Sequence, residues 1–238
     1  DAWAPQIKNL VDNHPVRALI TGSSSLRIEA GRDSLAGLIT TMDLGPLFLR
    51  EISELRSGAS INPFWGDNGL DKLATRDFWL QAKERAAQEK DQRAQAFSAF
   101  SERGAYPIAH DKAANPWPEV ADYLNETVIQ RAIRHDLRMG ARGMKRDEKL
   151  LEEVFRLCCR YAGQTPGQGV FVPEINQALG GNIGWNRILN YLRFLDGTLL
   201  IRLVQPSESR LKKKGKSPAK ICLCDHALRA SWLQEIVP

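Results

Sequence analysis

The sequence predicts a mixed α/β protein that is mostly helical, and three observations predict this class. A helical pattern is followed by a short apolar run that ends in small polar residues, with the sequence VRALITGSSS at residues 16–25. Residues 71–102 are rich in helix-forming Ala, Gln, Lys, Glu and Arg and contain no Gly or Pro. Three further helical patterns precede two β-rich runs. We expect three consecutive parts, at residues 1–60, 61–145 and 146–238.

Composition and charge limit the classes of function. A chain of 238 residues with 43% hydrophobic and 26% charged residues is typical of a globular protein with a sizeable core. No apolar run reaches the length of a membrane span, so we expect a cytoplasmic protein without a membrane partner. Residues 167–238 contain ten Lys and Arg against five Asp and Glu, which equals the whole formal excess of +5. This basic third is where an acidic partner would bind.

The first part contains one half of an α/β unit. Ile7, Leu10 and Val11 share one face of a predicted helix, which Pro15 ends. Residues 16–25 then predict a buried strand, because an apolar run is followed by Thr, Gly and three serines. Ligands collect at the carboxyl ends of strands in open α/β sheets. The alternative is that residues 22–25 only turn the chain and cap the next helix.

The same stretch and the residues after it carry a family resemblance. The motifs are the serine run, LAG at 35–37, TTMDLGPL at 40–47 and FLRE at 48–51. They resemble the predicted AAA-type P-loop ATPases of bacteria and archaea that carry a C-terminal region known as domain of unknown function 4143. In that family the phosphate-binding loop and the magnesium-binding acidic strand precede the serine strand. The resemblance therefore implies the C-terminal part of an ATPase core, with ATP and Mg²⁺ as cofactors of a longer parent, and we expect this fragment itself to be inactive.

The resemblance also implies site residues in the first part. Ser23 and Ser24 match the positions that sense the terminal phosphate of ATP or the attacking water, a role that a hydroxyl suits. The family usually has an arginine after the glycine of its "aGR" block, whereas Leu38 follows Gly37 here. The arginine-finger role is therefore either lost or taken by Arg32.

The middle part is predicted to be a helical lid with a polar arm. Residues 71–102 have apolar side chains at both ends and an almost wholly polar middle, which suits an exposed, partner-binding arm. The sequence GAYP at 104–107 resembles a "GgyP" turn of the family. A helix predicted from Trp117 then repeats apolar residues near a 3.6-residue period, which indicates a buried face.

The last part is predicted to be a winged helix. One helix carries Leu150, Val154 and Cys158, an extended piece at 170–173 leads into a second helix at 174–179, and a third helix follows the Gly-Gly turn. Two β-rich runs at 199–204 and 219–224 then flank a charged loop. The family's C-terminal region begins in the same way, and Asp225 matches its "fiDtGl" element.

A winged helix predicts a nucleic-acid interface. Its third helix enters the major groove and its wing contacts phosphates. On the helix the basic residues are Arg187 and Arg193, and on the wing they include Lys212, Lys213, Lys214 and Lys216. The alternative is a solvated loop on a domain that packs against protein.

Other chemical signatures are absent from the sequence. GKS at 215–217 copies the end of a P-loop, but it lacks the preceding glycine and strand. The histidines and cysteines have no metal-ligand spacing, so we expect no metal site. The hypotheses are thus an ATPase fragment, a DNA-binding winged-helix regulator, or a protein-interaction scaffold, with DNA, a protein client or a second copy of the chain as partners.

Overall fold

A computed structural model describes residues 3–21, 39–40, 42, 44–63, 71–136, 147–206 and 218–234 of the chain. These residues are mostly helical and include a two-stranded antiparallel sheet. Contacts divide the chain into two compact units: unit 1 is Asp1–Gly45 with Thr127–Cys224, and unit 2 is Pro46–Glu126 with Asp225–Pro238. None of the described helices combines the length and the apolar character that crossing a membrane requires.

Unit 1 is built around three helices and a hairpin. Its elements are α1 (Trp3–Asn13), α7 (Glu148–Arg160), α8 (Gln168–Leu179), α9 (Trp185–Gly197), β1 (Ile201–Val204) and β2 (Lys220–Leu223). Asp147 starts α7, because its side chain accepts a hydrogen bond from the Leu150 N–H. At the end of α7, Arg160 and Tyr161 both bond Glu174 of α8. These polar contacts fix the angle at which the two helices meet.

The core of unit 1 comes from the apolar faces of α7, α8 and α9 and from the hairpin. Its fully buried members include Leu150, Leu151, Val154, Phe155, Phe171, Ile175, Ile188, Leu195 and Ile201. Each such side chain contributes about 1.5–3 kcal/mol of transfer free energy relative to an exposed one. On the hairpin, Ile201 and Ile221 face this core, whereas Arg202 and Lys220 are exposed.

A short segment between α7 and α8 pairs with the hairpin. The Gly163 N–H donates to the Ile221 carbonyl at 2.7 Å, and the Ile221 N–H donates to the Gln164 carbonyl at 2.9 Å. The chain therefore adds a third extended piece beside β2, on the edge that β1 leaves open.

Unit 2 is helical in its described residues. Its elements are α2 (Leu49–Ser57), a 3₁₀ turn (Asp71–Ala74), α3 (Arg76–Gln88), α4 (Lys90–Arg103), α5 (Pro107–Asp111), α6 (Trp117–Leu124) and α10 (His226–Leu233). Helices α2 and α4 pack through Ile52, Ala99 and Phe100, and α10 packs against α6. Two π-helical segments, Asn125–Gln130 and Ala132–Asp136, follow α6 along the chain; the unit boundary lies within the first, and their buried residues Ile129 and Ile133 belong to unit 1.

The predicted strand at residues 16–25 is wrong where the structure describes it. Residues 16–21 have no regular secondary structure, and Leu19 is 91% exposed. A strand needs a neighbouring strand to pair its backbone groups, and among the described residues the hairpin strands pair only with each other and with residues 163–164. Residues 22–38, which include the serine run, lie outside the described part of the chain.

Two helix predictions also need correction. The predicted helix at 71–102 is a 3₁₀ turn (Asp71–Ala74) followed by α3 and α4, which are separated by a turn at Glu89. The Glu89 carboxylate bonds Arg93 at 2.5 Å and the Asn62 side chain at 3.3 Å. The extended piece predicted at 170–173 lies inside α8. Phe171 and Ile175 are four residues apart and both fully buried, so packing outweighs the strand propensity of Val-Phe-Val. The three consecutive parts predicted at residues 1–60, 61–145 and 146–238 stay a prediction.

Candidate nucleic-acid interface

Helix α9 presents a polar stripe on the side opposite the core. Ile188, Leu192 and Leu195 are buried, which leaves Asn186, Asn190 and Arg193 exposed. The spacing of four and three residues places these three side chains on one helix face. The stripe contains no carboxylate, so it offers two amides and one guanidinium to a partner.

The turn before α9 is fixed by one side chain of α8. The Ile183 N–H donates to Asn176 Oδ1 at 2.6 Å, and the Asn176 amide donates to the Ile183 carbonyl at 3.4 Å. This pair of hydrogen bonds mimics a backbone ladder and holds the start of α9 against the end of α8. The orientation of the polar stripe therefore depends on Asn176, which the sequence analysis did not single out.

The predicted contact residue Arg187 is engaged within unit 1. Its guanidinium lies 3.2 Å from Asp147 Oδ2, and the two side chains are 54% and 39% exposed. The Tyr191 hydroxyl accepts a hydrogen bond from the Asp147 N–H at 2.7 Å. Arg187 thus helps to join α9 to the start of α7, and its charge is partly neutralised before any partner binds.

A cleft of about 710 Å³ lies beside the polar stripe, between α9, the hairpin and the start of α8. Leu189, Leu192, Leu203 and Ile221 line it together with the indole of Trp185. Its polar lining residues are Gln168, Arg193, Asp196 and Gln205. Arg193 therefore belongs both to the exposed stripe and to the cleft.

Several predicted site residues lie outside the described part of the chain. On the β1–β2 loop these are Lys212, Lys213, Lys214 and Lys216, and in the first part they are Ser23, Ser24 and Arg32. Of the predicted nucleic-acid contacts, the structure places Arg187 and Arg193 on the same helix and gives only Arg193 to the exposed stripe.

Two motifs that lie far apart in the sequence meet inside unit 2. The Ala105 N–H of the GAYP turn donates to Asp225 Oδ2 at 2.6 Å, although the residues are 120 positions apart. Asp225 Oδ1 accepts from the Ala227 N–H at 2.7 Å and so caps α10. Gly104 has a φ of +75°, and a Cβ there would lie 2.2 Å from Asp225 Oδ1. Only glycine therefore fits beside this carboxylate.

His110 completes this cluster of Gly104, Ala105 and Asp225, which we call the Asp225 cluster. His110 Nε2 lies 2.9 Å from the Gly104 carbonyl oxygen. A carbonyl can only accept a hydrogen bond, so Nε2 carries the proton. His110 Nδ1 is buried without a hydrogen-bond partner among the described residues. Burial lowers the pKa of His110 below its usual value of 6.5. Burial also raises the pKa of Asp225 above its usual 3.8, although the hydrogen bonds from the Ala227 and Ala105 N–H groups act to lower it.

The remaining titratable groups of note are structural. Cys158 is fully buried in α7, and that burial raises the pKa of its thiol well above the usual value. Among the described residues, no group of three His, Cys, Asp or Glu side chains is arranged to hold a metal ion.

Comparison with known families assigns the chain to one family. The family model described as Domain of unknown function (DUF8612) matches residues 94–236, more than half of the chain. The chain belongs to the DUF8612 family. The DUF8612 match includes both the Asp225 cluster and the α7–α9 and hairpin region. No curated protein and no solved structure matches this chain.

Proposed function

We propose that unit 1 contains a winged helix that binds duplex nucleic acid, with α9 as the helix that enters the major groove. The observation that carries the proposal is the pairing of residues 163–164 with Ile221. It supports the order helix, extended piece, helix, helix, strand, strand, in which the extended piece lies beside the last strand. In a winged helix of this order, the third helix and the wing are the parts that contact duplex nucleic acid.

The side chains of the polar stripe suit this function. Asn pairs its amide with adenine edges, and Arg pairs its guanidinium with guanine edges or phosphates. Asn186, Asn190 and Arg193 follow one another along the exposed face of α9. Asp196, the nearest acid of the helix, accepts a hydrogen bond from the Leu203 N–H at 3.0 Å, which turns its Oδ1 towards the hairpin.

The sequence of the hairpin loop supplies positive charge. Lysines that neutralise phosphates release counterions, and the logarithm of the affinity falls by about 0.9 per phosphate for each tenfold rise in salt. We infer that Lys212, Lys213, Lys214 and Lys216 contact the backbone without reading sequence.

The test measures duplex binding by fluorescence anisotropy between 50 and 200 mM salt. Replacing the four loop lysines with alanine should weaken binding and reduce the salt slope by about 3–4. The matched control replaces Lys8, Lys72, Lys83 and Lys90 and removes the same charge elsewhere. Equal losses in both variants would attribute binding to net charge alone and contradict an interface on the hairpin loop.

A second candidate function is supported by the motif at residues 44–51. We propose that the chain is the C-terminal part of an AAA-type ATPase, in which ATP and Mg²⁺ bind a longer parent. The motif begins α2, where Glu51 accepts a hydrogen bond from the Phe48 N–H at 2.7 Å, which gives the "frE" acid a defined place. Ser23, Ser24 and Arg32 keep their proposed roles as phosphate sensors and arginine finger.

ATP hydrolysis by the natural-length gene product, beside the 238-residue chain, tests this candidate. We expect turnover only in the longer protein, with loss in Ser23→Ala/Ser24→Ala and in Arg32→Ala. A longer protein without turnover would reject the ATPase assignment and leave the winged helix unaffected.

A further inference from the structure

The cleft beside α9 has the size and position of a ligand site. Its volume of about 710 Å³ falls within the range of pockets that enclose small organic molecules. Its lining includes the exposed Arg193 and the buried Leu192 and Ile221. The cleft therefore combines buried apolar side chains with an exposed charged one.

The lining favours a flat ring with polar edges over a purely aliphatic ligand. Trp185 supplies an indole, and bases of nucleic acids stack on such rings whatever their identity. The amides of Gln168 and Gln205 can each donate and accept hydrogen bonds, as the edge of a base requires. Asp196 keeps an acceptor for a base amino group, since only its Oδ1 bonds the Leu203 N–H.

The position of the cleft connects it to the proposed duplex interface. Arg193 belongs to both, so a phosphate at Arg193 would bring the next sugar and base to the mouth of the cleft. Gln205 and Pro218 line the cleft at the two ends of the loop that carries the lysines. A nucleic-acid strand that crosses α9 at Arg193 can therefore reach the cleft beside the two ends of this loop.

We propose that this cleft binds one unpaired nucleobase next to a duplex. The inference rests on the proposed winged-helix function and names its substrate class as a duplex with an overhang or an extruded base. Bases inside a duplex are stacked and cannot enter a side cleft, so a base must be unpaired before it binds.

The experiment compares one duplex in blunt form with the same duplex carrying a three-nucleotide overhang. Affinities are measured by anisotropy, and 2-aminopurine at the first unpaired position reports whether that base leaves water. We expect about tenfold tighter binding of the overhang form and a change in 2-aminopurine fluorescence, because one stacked base contributes about that factor.

Two variants test the cleft by different means. Trp185→Leu removes the stacking ring, and Ala219→Phe fills the cleft from a partly exposed position without removing a core side chain. Both should bind blunt and overhang duplexes equally, whereas Trp79→Leu, at an exposed tryptophan of unit 2, should keep the tenfold preference.

The outcomes separate this inference from the proposed function. Equal binding of blunt and overhang duplexes by the unmodified chain would overturn the base site and leave duplex binding intact. A preference that survives both Trp185→Leu and Ala219→Phe would also overturn it. Absence of binding to either duplex would reject the winged-helix function and the base site together.

Discussion

The Asp225 cluster and the polar stripe of α9 both gather polar groups, but they differ in where those groups find partners. In the cluster, the buried Asp225 carboxylate accepts hydrogen bonds from the Ala105 and Ala227 N–H groups, and the buried His110 bonds the Gly104 carbonyl. On the stripe, Asn186, Asn190 and Arg193 are exposed to water. A buried set in which most polar groups bond one another stabilises the fold, whereas an exposed set can exchange water for a partner. Mutations in the Asp225 cluster should therefore change the free energy of unfolding, and mutations in the polar stripe should change the affinity for a partner.

The largest effect is expected at Gly104. Gly104→Ala places a Cβ 2.2 Å from Asp225 Oδ1 and 2.5 Å from Ala227 Cβ, and should lower the free energy of unfolding by about 3 kcal/mol or more. Gly58→Ala is the matched control, because Gly58 also has positive φ but nothing lies within 4 Å of its Cβ position. The control should cost only about 1 kcal/mol. Denaturant unfolding measures both, and equal losses would contradict the close packing at Gly104.

Replacing Asp225 should lower the free energy of unfolding more than replacing an ordinary helix cap does. Asp225→Ala removes the cap of α10 and also leaves the buried Ala105 N–H without its acceptor, for an expected loss of about 2–4 kcal/mol. Asp147→Ala, which removes the cap of α7 and the partly exposed ion pair with Arg187, should lower the free energy of unfolding by about 1–2 kcal/mol. A larger loss for Asp225→Ala in denaturant unfolding would report the buried bond to Ala105. Similar values for the two variants would mean that this bond adds nothing.

The cluster should also make stability depend on pH. The pKa of His110 is lowered in the fold, so below its usual value of 6.5 the unfolded chain binds more protons and the free energy of unfolding falls as the pH falls. The raised pKa of Asp225 acts oppositely, since stability falls as the pH rises from 3.8 through the raised value. His110→Gln should remove the first effect. Urea unfolding of both proteins at pH 5 to 7.5 tests this, and parallel curves would exclude His110 as the cause.

The smallest effects separate the two arginines of α9. Arg193→Ala should weaken duplex binding by about 1 kcal/mol or more with little change in stability. Arg187→Ala should lower stability by at most about 1 kcal/mol, because its ion pair with Asp147 is partly exposed. Anisotropy and denaturant unfolding of both variants make the comparison. If Arg187→Ala reduced affinity more than Arg193→Ala, the assignment of the exposed stripe would be wrong.

The sequence predicted the local elements of unit 1 better than their pairing. Periodic apolar residues located α1, α7 and α9, and the two β-rich runs contain β1 and β2. The apolar run at 16–21 has the composition of a strand, but composition does not provide the partner strand that makes one. Conversely, Gly163 and Gln164 pair with Ile221 without any strand-like pattern in the sequence.

At the candidate sites too, the sequence indicated single residues but not the contacts between them. Arg193 could be named from a basic residue on a predicted third helix, but the ion pair of Arg187 depends on the angle between α7 and α9. The motif match pointed to GAYP and Asp225 separately. Nothing in the sequence indicated that they bond each other, because that contact joins residues 120 positions apart.

The 120 positions between Ala105 and Asp225 affect the order in which the parts of unit 2 are synthesised and fold. Ala105 leaves the ribosome well before Asp225, and the three helices and hairpin of unit 1 are synthesised in between. Until α10 emerges, the apolar surface of α6 that α10 covers stays exposed to chaperones, proteases and other nascent chains. Contacts of such high sequence separation also form slowly, since the loop must close before the bond is gained. Helix α10, which is translated after all the other described elements of unit 2, thus determines when this unit becomes resistant to proteolysis.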